Sequence, residues 1–146
     1  MVSFAAKIDA GLHAMAINAD IPDISNPLSK WLLDTPALIQ RAEAASRQRG
    51  EHLLAMLKKR DDDGGVEIAT AAIAVPIAML GEVAASRARY FDLSFVGWEA
   101  NNATSRMTAE TVVFGSGRPT ILLPELSEVV TLDHVAIAWD GSRVAA

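Results

Sequence analysis

The feature that most constrains the fold is a regular alternation of short apolar runs with helix-like segments. Apolar runs bounded by Gly, Pro or charged residues are typical of buried strands, whereas apolar residues three or four apart are typical of helices. The strand-like runs cover residues 12–19, 66–75, 90–97, 120–123 and 134–139, and the helix-like segments cover residues 4–10, 35–60, 77–89 and 104–114. This order predicts an α/β fold in which an open parallel sheet of five strands lies between helices.

The sequence also predicts where several elements begin and end. Pro36 and Pro76 stand where helices should start, because the proline ring presets φ at the first helical position. Gly11 is expected to cap the first helix in a left-handed conformation, and residues 61–65 are expected to end the second. The nearly continuous hydrophobicity of residues 90–97 predicts a central strand that is buried on both faces.

Each long predicted helix has a stripe of apolar side chains that should face the sheet. In the helix over 35–60 these are Leu38, Ile39, Ala42, Leu53, Leu54 and Leu57. In the helix over 77–89 they are Ile77, Leu80, Val83, Ala84 and Ala88. In the helix over 104–114 they are Met107, Thr111, Val112 and Phe114.

Composition argues against several classes of function. The chain has 146 residues and a formal net charge of −5. An acidic chain lacks the basic face that neutralises phosphates, so no nucleic-acid partner is predicted. No apolar segment approaches the length of about 20 residues that spans a bilayer, so no membrane partner is predicted either. The absence of cysteine excludes disulfides and thiolate zinc sites and is typical of a reducing compartment, which predicts a cytoplasmic location.

Two glycine-containing segments are candidates for phosphate-binding loops. Gly97 ends a strand and precedes a helix, which is where open α/β sheets place ligands, although a single glycine there is more often an ordinary turn. Gly115, Ser116 and Gly117 instead end a helix, where the negative pole of the helix dipole repels phosphate. We therefore interpret that segment as a C-terminal cap.

Asp140 is a second candidate at a strand end, since its carboxylate can accept hydrogen bonds from a ribose or an adenine amino group; the alternative is an ordinary turn. The three histidines stand apart, and the carboxylates at 61–63 lack the alternating spacing of a calcium loop. No Ser/His/Asp arrangement or carboxylate pair indicates acid–base work. The sequence predicts no metal and no catalytic residue.

Several of these segments together resemble the universal stress protein family. The resemblance rests on strand 12–19, on the Pro-started helix at 76–82, on residues 89–97 (RYFDLSFVG) and on residues 114–124 (FGSGRPTILLP). The chain is most similar to the first half of the bacterial tandem members. Residues 136–142 (AIAWDGS) resemble the opening strand of a second half. The chain therefore resembles a family domain shifted in register, with strand one missing at the start and a strand-one-like segment at the end.

The resemblance implies a strand order of 3-2-1-4-5, homodimers formed through the last strand and, in some members, bound ATP or AMP. Carried onto this chain, the adenine contacts fall near Ala19 and Asp140. The phosphate contacts fall near Gly97 and Arg106.

The phosphate loop departs from the family pattern at two points. Ala100 stands where the family has its second glycine, and Arg106 and Met107 stand where it has Gly-Ser. These departures predict a degenerate nucleotide pocket. The leading hypothesis is therefore a universal-stress-protein-like regulatory or structural module with a role in the stress response, homodimeric and without enzymatic activity. An ATP- or AMP-binding stress sensor is the alternative, and an enzyme of unknown reaction is the third hypothesis.

The predicted organisation is a single domain with a body over 1–123, a connector over 124–133 and the strand-one-like segment over 134–146. Without strand one, a 3-2-1-4-5 sheet leaves unpaired backbone groups on strands two and four. The strand at 134–139 is expected to fill that position, either in cis or by swapping with a dimer partner. The predicted dimer contact is the edge strand Thr120 to Leu123 or this swapped strand.

Overall fold

A computed structural model describes residues 1–22 and 35–125 of the chain, and for residues 60–64 it describes the backbone alone. The elements alternate between helix and strand, which confirms the predicted α/β class. They are α1 (Val2–Lys7), β1 (Leu12–Asp20), α2 (Thr35–Gly64), β2 (Ile68–Pro76), a 3-10 turn (Ile77–Met79), α3 (Leu80–Ala88), β3 (Ser94–Trp98), α4 (Ala103–Gly115) and β4 (Thr120–Pro124).

The strands form two parallel pairs. β1 lies beside β2 with Leu12 opposite Ile68, and β3 lies beside β4 with Ser94 opposite Thr120. No strand among the described residues joins the two pairs. The parallel pairing is therefore as predicted, whereas the described residues do not form a single five-stranded sheet. The predicted strand at 134–139 lies outside them.

Among the described residues, two small buried clusters hold α1 on the first pair and α3 and α4 on the second. In the first, Ala5 of α1 is buried together with Ile68 of β2. In the second, Ala85 of α3 and Val112 of α4 are buried, and Val96 of β3 packs against them. Burial of apolar side chains between layers is the main force that holds such an α/β arrangement together.

The face that α2 turns toward the sheet differs from the prediction. Leu38, Ala42 and Leu53 are exposed, although the apolar pattern predicted them to be inside. The side chains on the inner face instead recur at three and four residues: Ile39, Glu43, Ser46, Gly50, Leu54 and Leu57. The pattern failed because polar side chains of this face accept hydrogen bonds from the amides of Ala19 and Ile21 at the end of β1, which a count of apolar residues does not detect.

Two predicted helix ends are also corrected. After α1 the left-handed residue is Asp9, with φ of 52°, and the amide of Ala10 donates to the carbonyl of Ala5 at 3.0 Å. This bond closes the helix end before Gly11, because Asp tolerates the left-handed region better than most residues do. The second helix does not stop at the acidic run, since α2 continues to Gly64 and the left-handed residue is Gly65, with φ of 63°.

The predicted strand over 90–97 is shorter in the structure and begins at Ser94. Tyr90 and Phe91 instead form a turn after α3, in which their amides donate to the carbonyls of Arg87 and Ala88. The side chain of Tyr90 is 81% exposed. Local helical hydrogen bonds therefore hold residues that their β propensity had assigned to a strand.

Phe114 and Met107 of α4 were predicted to face the core, but they are 86% and 42% exposed. Ala109 and Val112 are the buried residues of this helix, each at 1% exposure. Phe114 lies two positions after Val112, which places it on the opposite side of a helix with 3.6 residues per turn. Ile77 is also 41% exposed, because it lies in the 3-10 turn before α3.

Candidate functional site

The candidate phosphate site begins at Gly97, which lies near the end of β3, just before α4 begins. A Cβ added at Gly97 would meet no atom of the described residues within 4 Å, so among these residues there is open space in front of it. Its carbonyl accepts a hydrogen bond from the Ser105 hydroxyl at 3.4 Å. This position has the room that a ligand needs, as expected from its place between strand and helix.

The start of α4 is closed by a ring of hydrogen bonds within the chain. The side-chain oxygen of Asn102 accepts from the Ser105 amide at 3.0 Å, which caps the helix. The Asn102 side-chain nitrogen donates to the Glu99 carboxylate at 2.6 Å, and the Glu99 amide donates to the Ser105 hydroxyl at 3.0 Å. The chain's own carboxylate therefore lies at the positive end of the helix, where a phosphate would otherwise bind.

Arg106, predicted to hold an anion at this helix start, pairs with Glu110 one turn further along α4. Its Nε lies 2.7 Å from Glu110 Oε1, and the two side chains are 70% and 52% exposed. The hydrogen bond with Glu110 and the attraction of its charge raise the pKa of the Arg106 guanidinium above its ordinary value. The guanidinium is therefore directed along the helix, although a pair this exposed is weak and leaves it within reach of other anions.

Ala19, predicted to contact adenine, lies at the end of β1, where α2 crosses the strand. Its amide already donates to the Ser46 hydroxyl at 3.0 Å. Two residues later the Ile21 amide donates to the Glu43 carboxylate at 2.9 Å. The amide of the residue predicted to lie near adenine is thus already bonded to a side chain of the chain itself.

A cleft of about 480 Å³ opens between this end of β1, β2 and the inner face of α2. Asp20, Glu43 and Glu51 bring three carboxylates to its lining, and Arg47 brings one guanidinium. Negative charge disfavours a triphosphate here, because like charges repel across short distances. The cleft is lined by Asn18, Ala19, Asp20, Glu43, Arg47, Glu51, Ala72, Ile73 and Ala74.

Among the described residues, the predicted site residues do not line one common cleft. The lining of the cleft includes Ala19 but neither Gly97 nor Arg106, which belong to the β3–α4 junction on the other strand pair. Asp140, the fourth predicted residue, lies outside the described residues. The structure therefore describes two separate half-sites, one at the end of β1 and one at the end of β3.

The second glycine segment is a helix end, as predicted. Gly117 is left-handed with φ of 65°, and the Ser116 amide donates to the Val112 carbonyl at 3.0 Å. The Arg89 guanidinium donates to the Gly115 carbonyl from two nitrogens, at 3.2 and 3.0 Å. A cation at the negative pole of α4 is the favourable arrangement, and it confirms that this segment is a cap.

Sequence reasoning missed the side chains that close both half-sites. Ser46 and Glu43 were overlooked because they interrupt the apolar pattern of α2. Asn102 was not predicted either, although Asn before a helix is a common N-cap and was therefore a usable signal.

The remaining titratable side chains that the structure describes bring no further site into view. His13 packs against Phe91, with ring centroids 5.3 Å apart. Within residues 1–22, 35–59 and 65–125 no group of three or more His, Cys, Asp or Glu side chains is arranged to hold a metal ion. Among the described helices, none is long and apolar enough to cross a membrane.

No protein-family model, curated protein or solved structure matches this chain.

Proposed function

We propose that this chain is a universal-stress-protein-like module with a regulatory or structural role, that it forms homodimers, and that its nucleotide pocket is closed by its own side chains. The observation that carries this proposal is the ring of Glu99, Asn102 and Ser105 at the start of α4. A helix start that supplies its own cap and its own carboxylate has little left to offer a phosphate.

The proposal includes a five-stranded sheet in the order 3-2-1-4-5. In that order β1 corresponds to strand two and β2 to strand three. β3 corresponds to strand four and β4 to strand five. Their parallel pairings support this assignment. The position between β1 and β3 belongs in this scheme to the segment 134–139, in cis or swapped.

An ATP- or AMP-binding sensor is the second candidate. Two observations favour it: the open space in front of Gly97 and the cleft beside Ala19. Against it stand the carboxylates of that cleft and the occupied amide of Ala19. The two candidates differ in one measurable property, which is the stabilisation of the fold by nucleotide.

We expect the melting temperature of the chain to be unchanged by millimolar ATP or AMP. A ligand at about 100 times its dissociation constant adds about 2.7 kcal/mol of stability. For a chain of this length that corresponds to a rise of roughly 8 °C in a thermal denaturation experiment. A rise of this size would contradict the closed pocket and support the sensor.

A matched pair of variants tests whether Glu99 closes the site. Glu99→Gln keeps the acceptor for Asn102 but removes the charge at the start of α4, whereas Glu82→Gln removes one charge from an exposed position of α3. We expect nucleotide to stabilise Glu99→Gln more than Glu82→Gln. Equal responses of the two variants would show that the Glu99 carboxylate does not exclude phosphate.

For the homodimer, we expect Leu122→Glu to halve the mass that light scattering reports. Leu122 is 41% exposed on β4, whose outer edge is not paired by any described strand. A carboxylate at an apolar dimer contact would be buried without a partner, which is strongly unfavourable. Leu38→Glu, at an exposed position of α2, is the control. A dimer that survives Leu122→Glu would exclude the β4 edge as the dimer contact. A monomeric wild-type chain would exclude the homodimer itself.

A further inference from the structure

Positive charge is concentrated on one helix of an acidic chain. Residues 35–59 of α2 carry five Lys or Arg side chains and two Glu, which gives this stretch a net charge of +3. The whole chain has a net charge of −5, so its other residues together carry −8. A charge division of this kind indicates a surface that meets an anionic partner.

The two glutamates of this stretch lie toward the sheet or the cleft. Glu43 accepts a hydrogen bond from a backbone amide just after β1 at 2.9 Å, and Glu51 lines the cleft. Successive residues of a helix are rotated by about 100°, which places Arg41, Arg49 and Lys59 at least about 80° away from both positions. The outer side of α2 therefore presents these three cations without an acidic neighbour from the same stretch.

Apolar side chains are interleaved with these cations. The three large apolar residues on the same side are between 47% and 56% exposed among the described residues. Together the six side chains cover an arc of about 120° around the helix and extend about 32 Å along its axis. They end before the acidic run at 61–63. We name this surface the basic face, and it consists of Leu38, Arg41, Arg49, Leu53, Met56 and Lys59.

The basic face combines the two kinds of side chain that an anionic lipid surface attracts. Arg and Lys reach the charged headgroups, while Leu and Met enter the boundary with the acyl chains. A nucleic-acid backbone would engage the cations but leave the apolar side chains in water. All six residues belong to one side of one helix, which can lie flat on a planar partner.

We propose that the basic face binds the surface of anionic lipid bilayers, with α2 lying parallel to the membrane plane. The sequence-based prediction of no membrane partner concerned spanning segments, and a surface contact requires none. The negative charge of the rest of the chain is repelled by the same lipid, which leaves α2 as the element that meets it. This inference goes beyond the proposed function and depends neither on nucleotide binding nor on dimer formation.

Sedimentation of the full-length chain with lipid vesicles measures this contact. We expect binding to vesicles of equal parts phosphatidylglycerol and phosphatidylcholine, and binding at least about tenfold weaker to phosphatidylcholine alone. Raising NaCl from about 0.1 M to about 1 M should remove most of the binding, because the screening length falls from about 10 Å to about 3 Å. A chain that binds neither kind of vesicle at the lower salt concentration would overturn the proposal, including the case in which other residues of the chain cover the basic face.

A matched pair of double variants tests whether the basic face makes the contact. Arg41→Glu with Arg49→Glu reverses two charges on the face, and Arg47→Glu with Lys58→Glu makes the same change of net charge on the opposite side of α2. Each cation near the lipid contributes about fivefold in affinity, so we expect a loss of at least about 25-fold for the first variant and less than about fivefold for the second. Equal losses would show that only net charge matters and would overturn the assignment to this face.

A fluorescent label provides a second measurement that changes no charged residue, because the natural sequence has no cysteine. A polarity-sensitive dye on Leu53→Cys should shift its emission to shorter wavelength when anionic vesicles are added. The same dye on Ser86→Cys, at an exposed position of α3, should not. Unchanged emission from position 53 would overturn the contact. A single-stranded RNA that binds the chain more tightly than the vesicles and displaces it from them would assign the face to nucleic acid instead.

Discussion

Replacing Gly50 by leucine is expected to lower the free energy of unfolding by about 3 kcal/mol. Gly50 is buried where α2 crosses β1, and a Cβ there would lie 2.6 Å from Asn18 Oδ1 and 2.9 Å from the Ala16 Cβ. The Asn18 side chain can rotate away, but the Ala16 Cβ is fixed to the strand. Leucine therefore forces α2 away from β1, and chemical denaturation should report the loss as a lower midpoint.

Ala55→Leu is the matched control for this change, because Ala55 is exposed on the same helix. Its effect should stay within about 0.5 kcal/mol. The sign of the stability change in Gly50→Ala is a further test. Glycine to alanine inside a helix ordinarily stabilises by about 1 kcal/mol, whereas the close approach of α2 to β1 should make the same change destabilising here. A Gly50→Leu chain as stable as the control would contradict the close approach of α2 to β1.

Replacing Gly81 by leucine is the second change with a large expected effect, a loss of about 2 to 3 kcal/mol. Gly81 is buried in α3 against α4, and a Cβ there would lie 2.8 Å from Thr111 Oγ1 and 2.9 Å from Thr111 Cβ. Thr111 cannot easily turn away, because its hydroxyl donates to the Met107 carbonyl at 2.7 Å. The two helices would have to separate, which would expose the core around Val112.

Moving the small residue from one helix to the other tests this contact directly. Gly81→Ala combined with Thr111→Gly should be more stable than the sum of the single changes predicts, by about 1 kcal/mol. Ser86→Leu, on the exposed side of α3, is the control and should leave stability nearly unchanged. Additive single changes would mean that the two positions do not touch.

The contacts at Gly50 and Gly81 also matter for function. Gly50 lies one turn from Ser46, the residue that closes β1 at Ala19. Gly81 fixes α3 beside α4, and the ring of Glu99, Asn102 and Ser105 lies at the start of α4. Close packing of both helices therefore places the side chains that occupy the two half-sites.

Part of the candidate site was accessible from the sequence. Gly97 was predicted at a strand end before a helix, and it is found there with open space in front of it. The pairing of Arg106 with Glu110 was also open to prediction, because residues four apart on a helix are neighbours. The occupation of the Ala19 amide by Ser46 was not, since 27 positions separate the two residues.

Local chemistry therefore determined the order of helices and strands, the parallel pairing that such an order imposes and the helix end at Gly117. These features depend on backbone preferences and hydrophobic periods that are complete within a few residues. The tertiary structure alone decided which side of α2 and α4 is buried and which side chains close β1 and β3. Those choices depend on contacts between residues far apart in the chain. A serine or a glutamate lies inward because it bonds an amide at the end of a strand, while a leucine or a phenylalanine of the same or another helix stays exposed.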